Sequence, residues 1–413
     1  MIVEPIVSQH SEESAFLWLL RDYATKEPHY SVADLDDLEE RINAHLDGLR
    51  IAGNQAWRFC EAGLQYEEPG EVFTAAYTAL DNCRQDWLEQ TLEVSAKAPE
   101  SIRGFVSALG WLPKQKLQGH VVNWLKSDQS PHRQIGLAAC AIQRVDCGNH
   151  LMRGLHDSDP CVSARALRCI GEIRRRDLLA PVIEQLNAED TSCRHWAAWS
   201  ATLLGDKMGL ETLQTFFHPE CEFQHRALTL GLRAMDKSAA VSWIREQTGH
   251  PGYERTIIEA TGIIGDPAAI PWLISKMDKP EYSRLAAESL AMITGVDIAY
   301  EDLDIDQPEG FEAGPSEYPE DEEVAMDPDE ELPWPDQQRV AEWWSGNQDK
   351  FAIGERYLSG YTITRDHCRE VLKYGYQRQR RAAAIELALL NKDEPLFNCS
   401  ATAKHQLRLL GEA

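Results

Sequence analysis

Residues 251–280 read PGYERTIIEATGIIGDPAAIPWLISKMDKP, and this stretch decides the fold. Its first half carries Tyr253, Ile257, Ala260, Ile263 and Ile264 near helical spacing. Gly265 stops that helix, because glycine takes the left-handed cap conformation without a Cβ penalty. Asp266 can cap a second helix, and Pro267 suits its first turn. Ile270, Leu273, Ile274 and Met277 then form the apolar stripe of the second helix. The stretch is a helix–turn–helix pair.

The pair recurs on both sides. Gly205, Gly265 and Gly295 stand 60 and 30 residues apart, each closing an Ala/Leu-rich segment. Segments open near Ser101, Pro131, Pro160, Thr191, Cys221, Pro251 and Glu281, in steps of 30, 29, 31, 30, 30 and 30 residues. A period of that length predicts an all-α solenoid, in which each unit buries its apolar face only against its neighbours. About seven pairs are expected over 69–298, the copy at 69–100 being the weakest.

The flanks read differently. Residues 1–68 form a helical cap, whose segment 31–64 keeps Leu35, Leu38, Ile42, Leu46 and Leu49 on one stripe. Residues 301–331 hold fifteen Asp or Glu and no Lys or Arg. One charge sign and few apolar groups cannot support a core, so 299–332 reads as an acidic, flexible linker or insertion, with 305–330 mobile. An acidic decoy for a basic partner surface is the functional alternative. Residues 333–413 form a small helical region in which Asp336 and Thr364 start helices. Arg378, Arg380 and Arg381 there read as a solvated helix face or as a partner patch.

The net charge of −26 argues against nucleic acid, which needs clustered cations to release counterions. The fifteen acids of 301–331 make over half of that excess, so a local basic patch remains open. No apolar run reaches the roughly 18 residues of a membrane helix. The start, Met1-Ile2-Val3-Glu4-Pro5, lacks signal-peptide features, and a cytoplasmic protein without a membrane partner is expected. The ten cysteines include no CxxC pair and match no zinc spacing, so they read as small buried apolar groups.

The repeat resembles the short HEAT-like repeats of the kind noted in phycobilisome lyases. That resemblance rests on GDPAAIPWLISKM at 265–277 and covers about 69–298. A longer set of segments resembles the HEAT-like proteins encoded within bacterial type VI secretion gene clusters. It comprises LEERINAHLDGLRIAGNQAW at 38–57, LPWPD at 332–336, WW at 343–344, GERYLSG at 354–360 and YQRQRRAAAIELALL at 376–390. The resemblance implies a role in effector delivery or effector neutralisation and carries no catalytic residues with it.

No catalytic signature is present: no GxxxxGK[ST] loop, no GxSxG elbow, no HExxH and no EF-hand loop. His195 and His225 are repeat equivalents without a third ligand, so neither a metal nor a cofactor is expected. What remains is a non-enzymatic protein-binding scaffold whose concave face is lined by second helices. Glu184, Trp243, Arg245, Trp272 and Lys276 are the candidate contact residues. The tryptophans are core residues or, if half exposed, hot spots. The partner would be a type VI effector or delivery component, held by an adaptor or blocked by an immunity protein. The alternative is a lyase or hydrolase with a site in the groove.

Overall fold

The structure is a computed structural model that describes residues 3–314 and 325–412. Three helices precede the repeats: α1 (Glu4–Ala24), α2 (Val32–Ala52) and α3 (Trp57–Gly63). Paired helices follow: α4 (Pro69–Asp81) with α5 (Gln85–Lys97), α6 (Ile102–Trp111) with α7 (Lys114–Lys126), and α8 (Ser130–Ile142) with α9 (Asn149–Leu155). Next come α10 (Pro160–Ile173) with α11 (Leu179–Glu184), and α12 (Thr191–Leu203) with α13 (Lys207–Gln214). The last pairs are α14 (Gln224–Ala234) with α15 (Lys237–Gln247), and α16 (Glu254–Ile264) with α17 (Ile270–Lys276), before the single α18 (Pro280–Thr294). The remainder holds β1 (Asp304–Ile305), β2 (Trp334–Pro335), α19 (Gln337–Asn347), β3 (Tyr357–Leu358), β4 (Tyr361–Thr362), α20 (Arg365–Tyr374), α21 (Gln377–Leu390) and α22 (Ala403–Leu410). The chain is an all-α solenoid, and among the described residues no sheet exceeds two two-residue strands.

Local chemistry places the helix ends where the sequence put them. The side chain of Asp266 accepts from Ala268 N at 3.1 Å, and that of Asp336 accepts from Gln338 N and Arg339 N at 3.0 and 3.1 Å. Thr364 Oγ1 accepts from His367 N at 3.2 Å. Ser31 and Asp34 exchange bonds as a capping box on α2. Gly205, Gly265 and Gly295 all take left-handed φ values, of 92°, 75° and 72°.

Contacts divide the chain into two compact units, Met1–Thr212 with Asn391–Ala413, and Leu213–Leu390. The short C-terminal piece therefore belongs with the first unit, although 333–413 reads as one region in sequence. In the first unit α4, α6, α8, α10 and α12 pack one on the next. Trp18 stacks on Phe73 with centroids 5.2 Å apart, and Trp57 stacks on Trp87 at 4.8 Å. In the second unit α14, α16 and α18 form the equivalent row, over a core containing Ile258, Ile270, Leu273, Leu290 and Ile293. In both units the continuous wall is made by first helices. Each second helix from α5 to α17, α13 apart, packs on the following first helix.

Two expectations change here. The ends of the acidic stretch are fastened, while residues 315–324 lie outside the described residues. Leu303 and Leu332 are buried, and β1 pairs antiparallel with β2. The buried carboxylate of Asp329 accepts from Arg255 Nη1 and Nη2 at 2.8 and 2.7 Å, and Asp327 accepts from Arg284 Nη2 at 2.6 Å. The reason is electrostatic: packing carries Arg284 into the interior of the row, and a buried cation needs a partner. The acids supply it. Arg380 is the second change. It is fully buried, not on a solvated face, and its Nε donates to Leu372 O at 2.7 Å. Its long side chain closes the end of α20, which a charge count cannot foresee.

Candidate protein-binding site

The candidate residues do not share one unit. Glu184 is exposed at the end of α11 in the first unit. Trp243, Arg245, Trp272 and Lys276 lie on α15 and α17 of the second. There Trp243 is half-buried, with its edge against the Phe217 ring at 5.3 Å. Arg245 is exposed in the last turn of α15. Trp272 is also half-buried; Lys276 Nζ lies 5.1 Å from its ring centroid and pairs with the Glu254 carboxylate. The structure brings Trp272 and Lys276 together and ties Trp243 to Phe217. Each tryptophan is partly buried and braced, Trp272 also against the second unit's core, and a side chain so held loses little entropy on binding.

His195 and His225 diverge in environment. His195 is fully buried, whereas His225 is 81% exposed at its side chain and bonded to Glu259. Among the described residues no group of three or more His, Cys, Asp or Glu could hold a metal ion. The ten cysteines are free thiols. Cys140 and Cys169 are buried, as repeat-face residues should be, whereas Cys83 and Cys161 are exposed, against the expectation that the ten are buried apolar groups. The neighbouring Cys140 thiol pushes the Cys147 thiol up to about 12, and burial lifts that of Cys368 to about 12 as well. Neither is a reactive thiolate near neutral pH.

Sequence reading missed an arginine cluster in the first unit. Arg165 Nη2 and Arg168 Nε donate to the buried Glu172 carboxylate at 2.8 and 2.9 Å, and Arg144 Nη1 stands 3.8 Å away. Burial alone would raise the Glu172 pKa. The attraction of Arg168, Arg165 and Arg144 outweighs it and holds the carboxyl well below the usual carboxylate range. Arg168 also lies over the Trp196 ring at 4.7 Å. The missed signal is one of register. Arg144 and Arg174 stand in the same left-handed position as the repeat glycines, with φ 51° and 64°, and 144, 174 and 205 are 30 and 31 residues apart. Aligning repeats on glycine alone hides two cap positions occupied by arginine.

Residues 148–220 match the family model described as HEAT repeats. Over that stretch, from α9 to α13, the chain is similar to HEAT repeats, and the paired helices on either side continue the same plan. No curated protein matches the chain. The chain is therefore an all-α solenoid with a stretch similar to HEAT repeats, and HEAT repeats commonly mediate protein–protein interaction. Among the described residues no helix is long and apolar enough to cross a membrane.

Proposed function

We propose that this protein is a non-enzymatic, cytoplasmic scaffold that binds another protein through the second-helix face of its repeats. The observation that carries the reading is the pair of braced, partly buried tryptophans, Trp243 and Trp272, on successive second helices of one unit. Tryptophan and arginine are enriched in interface hot spots; Lys276 lies over Trp272, and Arg245 is exposed in the last turn of the helix that carries Trp243. The motif resemblance supports the pathway: the partner is a type VI secretion effector or delivery component. The chain acts on it as an adaptor or as an immunity protein. No step of this reading needs a cofactor, a nucleic acid or a membrane.

The test is capture from the native bacterium with the tagged protein, followed by mass spectrometry of what it holds. The parent should retain a type VI component. W243A and W272A should lose it while keeping the parent's helical circular dichroism, and added salt should slow its association. Capture unaffected by either substitution would refute the surface. Turnover of a small molecule controlled by one buried acid or histidine would refute the scaffold.

A further inference from the structure

Residues 391–400, NKDEPLFNCS, cross the first unit as a strap that is neither helix nor strand. Four of the bonds that hold it fall on its main chain. Leu396 N donates to Glu172 O at 2.9 Å, and Arg144 Nε donates to Leu396 O at 2.8 Å. Arg174 Nη2 reaches Asn391 O at 3.5 Å, and Arg21 Nη1 donates to Ser400 O at 3.0 Å. Groups of that kind exist on every peptide, so these four bonds do not read side chains, although Leu396 and Phe397 are half-buried and Cys399 is buried.

Charge supplies the selectivity. Arg144, Arg165, Arg168, Arg174, Arg175 and Arg176 gather along α10 and at the ends of α8 and α10, against Glu172, Asp146 and Asp177. This is a local basic surface on a chain of net charge −26. The strap brings Asp393 and Glu394 to it, followed by Pro395, and all three are exposed. Proline before Leu396 removes one donor and favours an extended backbone, which lowers the entropy cost of docking.

We propose that the arginine-lined ends of α8 and α10 bind an extended acidic segment of a partner protein, and that residues 391–400 are the chain's own occupant of that surface, displaced by the partner. This rests on the scaffold reading but not on the tryptophan surface assigned to it. A strap that must leave first taxes the partner's affinity by the fraction of time the surface is open.

The probe is a fluorescent peptide of residues 391–400 carrying C399S, titrated into the full chain. L396P deletes the amide that donates to Glu172 O and so loosens the strap. The peptide should bind L396P roughly tenfold or more tighter than the parent. Adding R144A or R174A to L396P should reverse that gain, as should D393K with E394K in the peptide. Binding should weaken as salt rises. Equal affinity for folded parent and folded L396P overturns the proposal, as does indifference to both arginine substitutions. So does a dimer of exchanged straps on size exclusion. If L396P does not fold, hydrogen exchange in the parent decides: the Leu396 amide should exchange about a hundredfold faster than amides within α10. Protection equal to α10 would make the strap part of the core and overturn the idea. W243A and W272A should leave peptide binding unchanged. Peptide failure with partner capture intact therefore removes this inference alone, and the converse removes only the tryptophan surface.

Discussion

The repeat-closing glycines are equivalent in sequence and unequal in structure, and alanine substitutions would expose the difference. Gly205, Gly265 and Gly295, and Gly249 just past the second helix α15, all have left-handed φ, at 92°, 75°, 72° and 88°. A Cβ at any of them carries the left-handed penalty of about 1–2 kcal/mol, partly offset by the stiffer unfolded chain. At Gly205 and Gly249 nothing lies within 4 Å of that Cβ, so the net cost should stay near 1 kcal/mol. At Gly265 the Cβ would stand 2.3 Å from Tyr357 O, and at Gly295 it would stand 2.7 Å from the Ser359 carbonyl carbon. These are main-chain atoms, so the β3–β4 hairpin has to move. Moving it breaks the bond from Tyr357 N to Gly265 O at 2.8 Å, worth about 1 kcal/mol. It also loosens Tyr357 and Leu358, which are buried to 7% and 2% exposure, and full burial of such side chains is worth about 1.5–3 kcal/mol each. Partial loss of that burial brings G265A to about 3–5 kcal/mol, with G295A close behind. Urea unfolding followed by tryptophan fluorescence gives the magnitudes. Hydrogen exchange at the Tyr357, Ser359 and Gly360 amides localises the effect. G249A is the control within the same unit. If G265A costs no more than G249A, the hairpin does not depend on the glycine, and the reasoning is wrong.

Two further outcomes follow from the same packing. Leu273 is fully buried in the second unit's core, so L273A should cost about 2–5 kcal/mol in a denaturant titration, and a variant as stable as the parent would contradict the helix register. Glu172 has a folded pKa below its unfolded value, so its contribution is present above the unfolded pKa and is lost as pH falls towards the folded one. E172Q should cost about 3 kcal/mol near neutral pH by leaving Arg144, Arg165 and Arg168 uncompensated, at the low end of the buried-pair range because Arg168 is partly solvated. The gap between E172Q and the parent should close as the pH drops well below 4.5; a constant gap in thermal melts across that range would refute the assignment.

The 30-residue period, the caps at Asp266, Asp336 and Thr364, and the glycine stops were legible in the chain because each is decided within one or two helical turns. Apolar spacing and capping chemistry act locally, and a solenoid repeats them. That is why the helix pairs, the buried face of Leu273 and Ile274, and the burial of Cys140 and Cys169 could be read without coordinates. The candidate surface was legible only in part: Trp243 and Trp272 could be placed on second helices, but their half-exposure depends on Phe217 and Lys276, which lie one turn or one repeat away. Long-range decisions were out of reach. Asp329 looks like any other acid of its run until Arg255 meets it from α16, 74 residues away. Arg380 looks solvated until α20 folds over it. Leu396 gives no local sign that it will bond to Glu172, and nothing near Arg144 announces a partner 252 residues on. Sequence by itself determined the helices and their order, because those free energies are set by neighbours along the chain. Only the tertiary structure decided which charges are buried, which glycines touch another backbone and where the C-terminal strap lies, because each needs two distant segments to share one place.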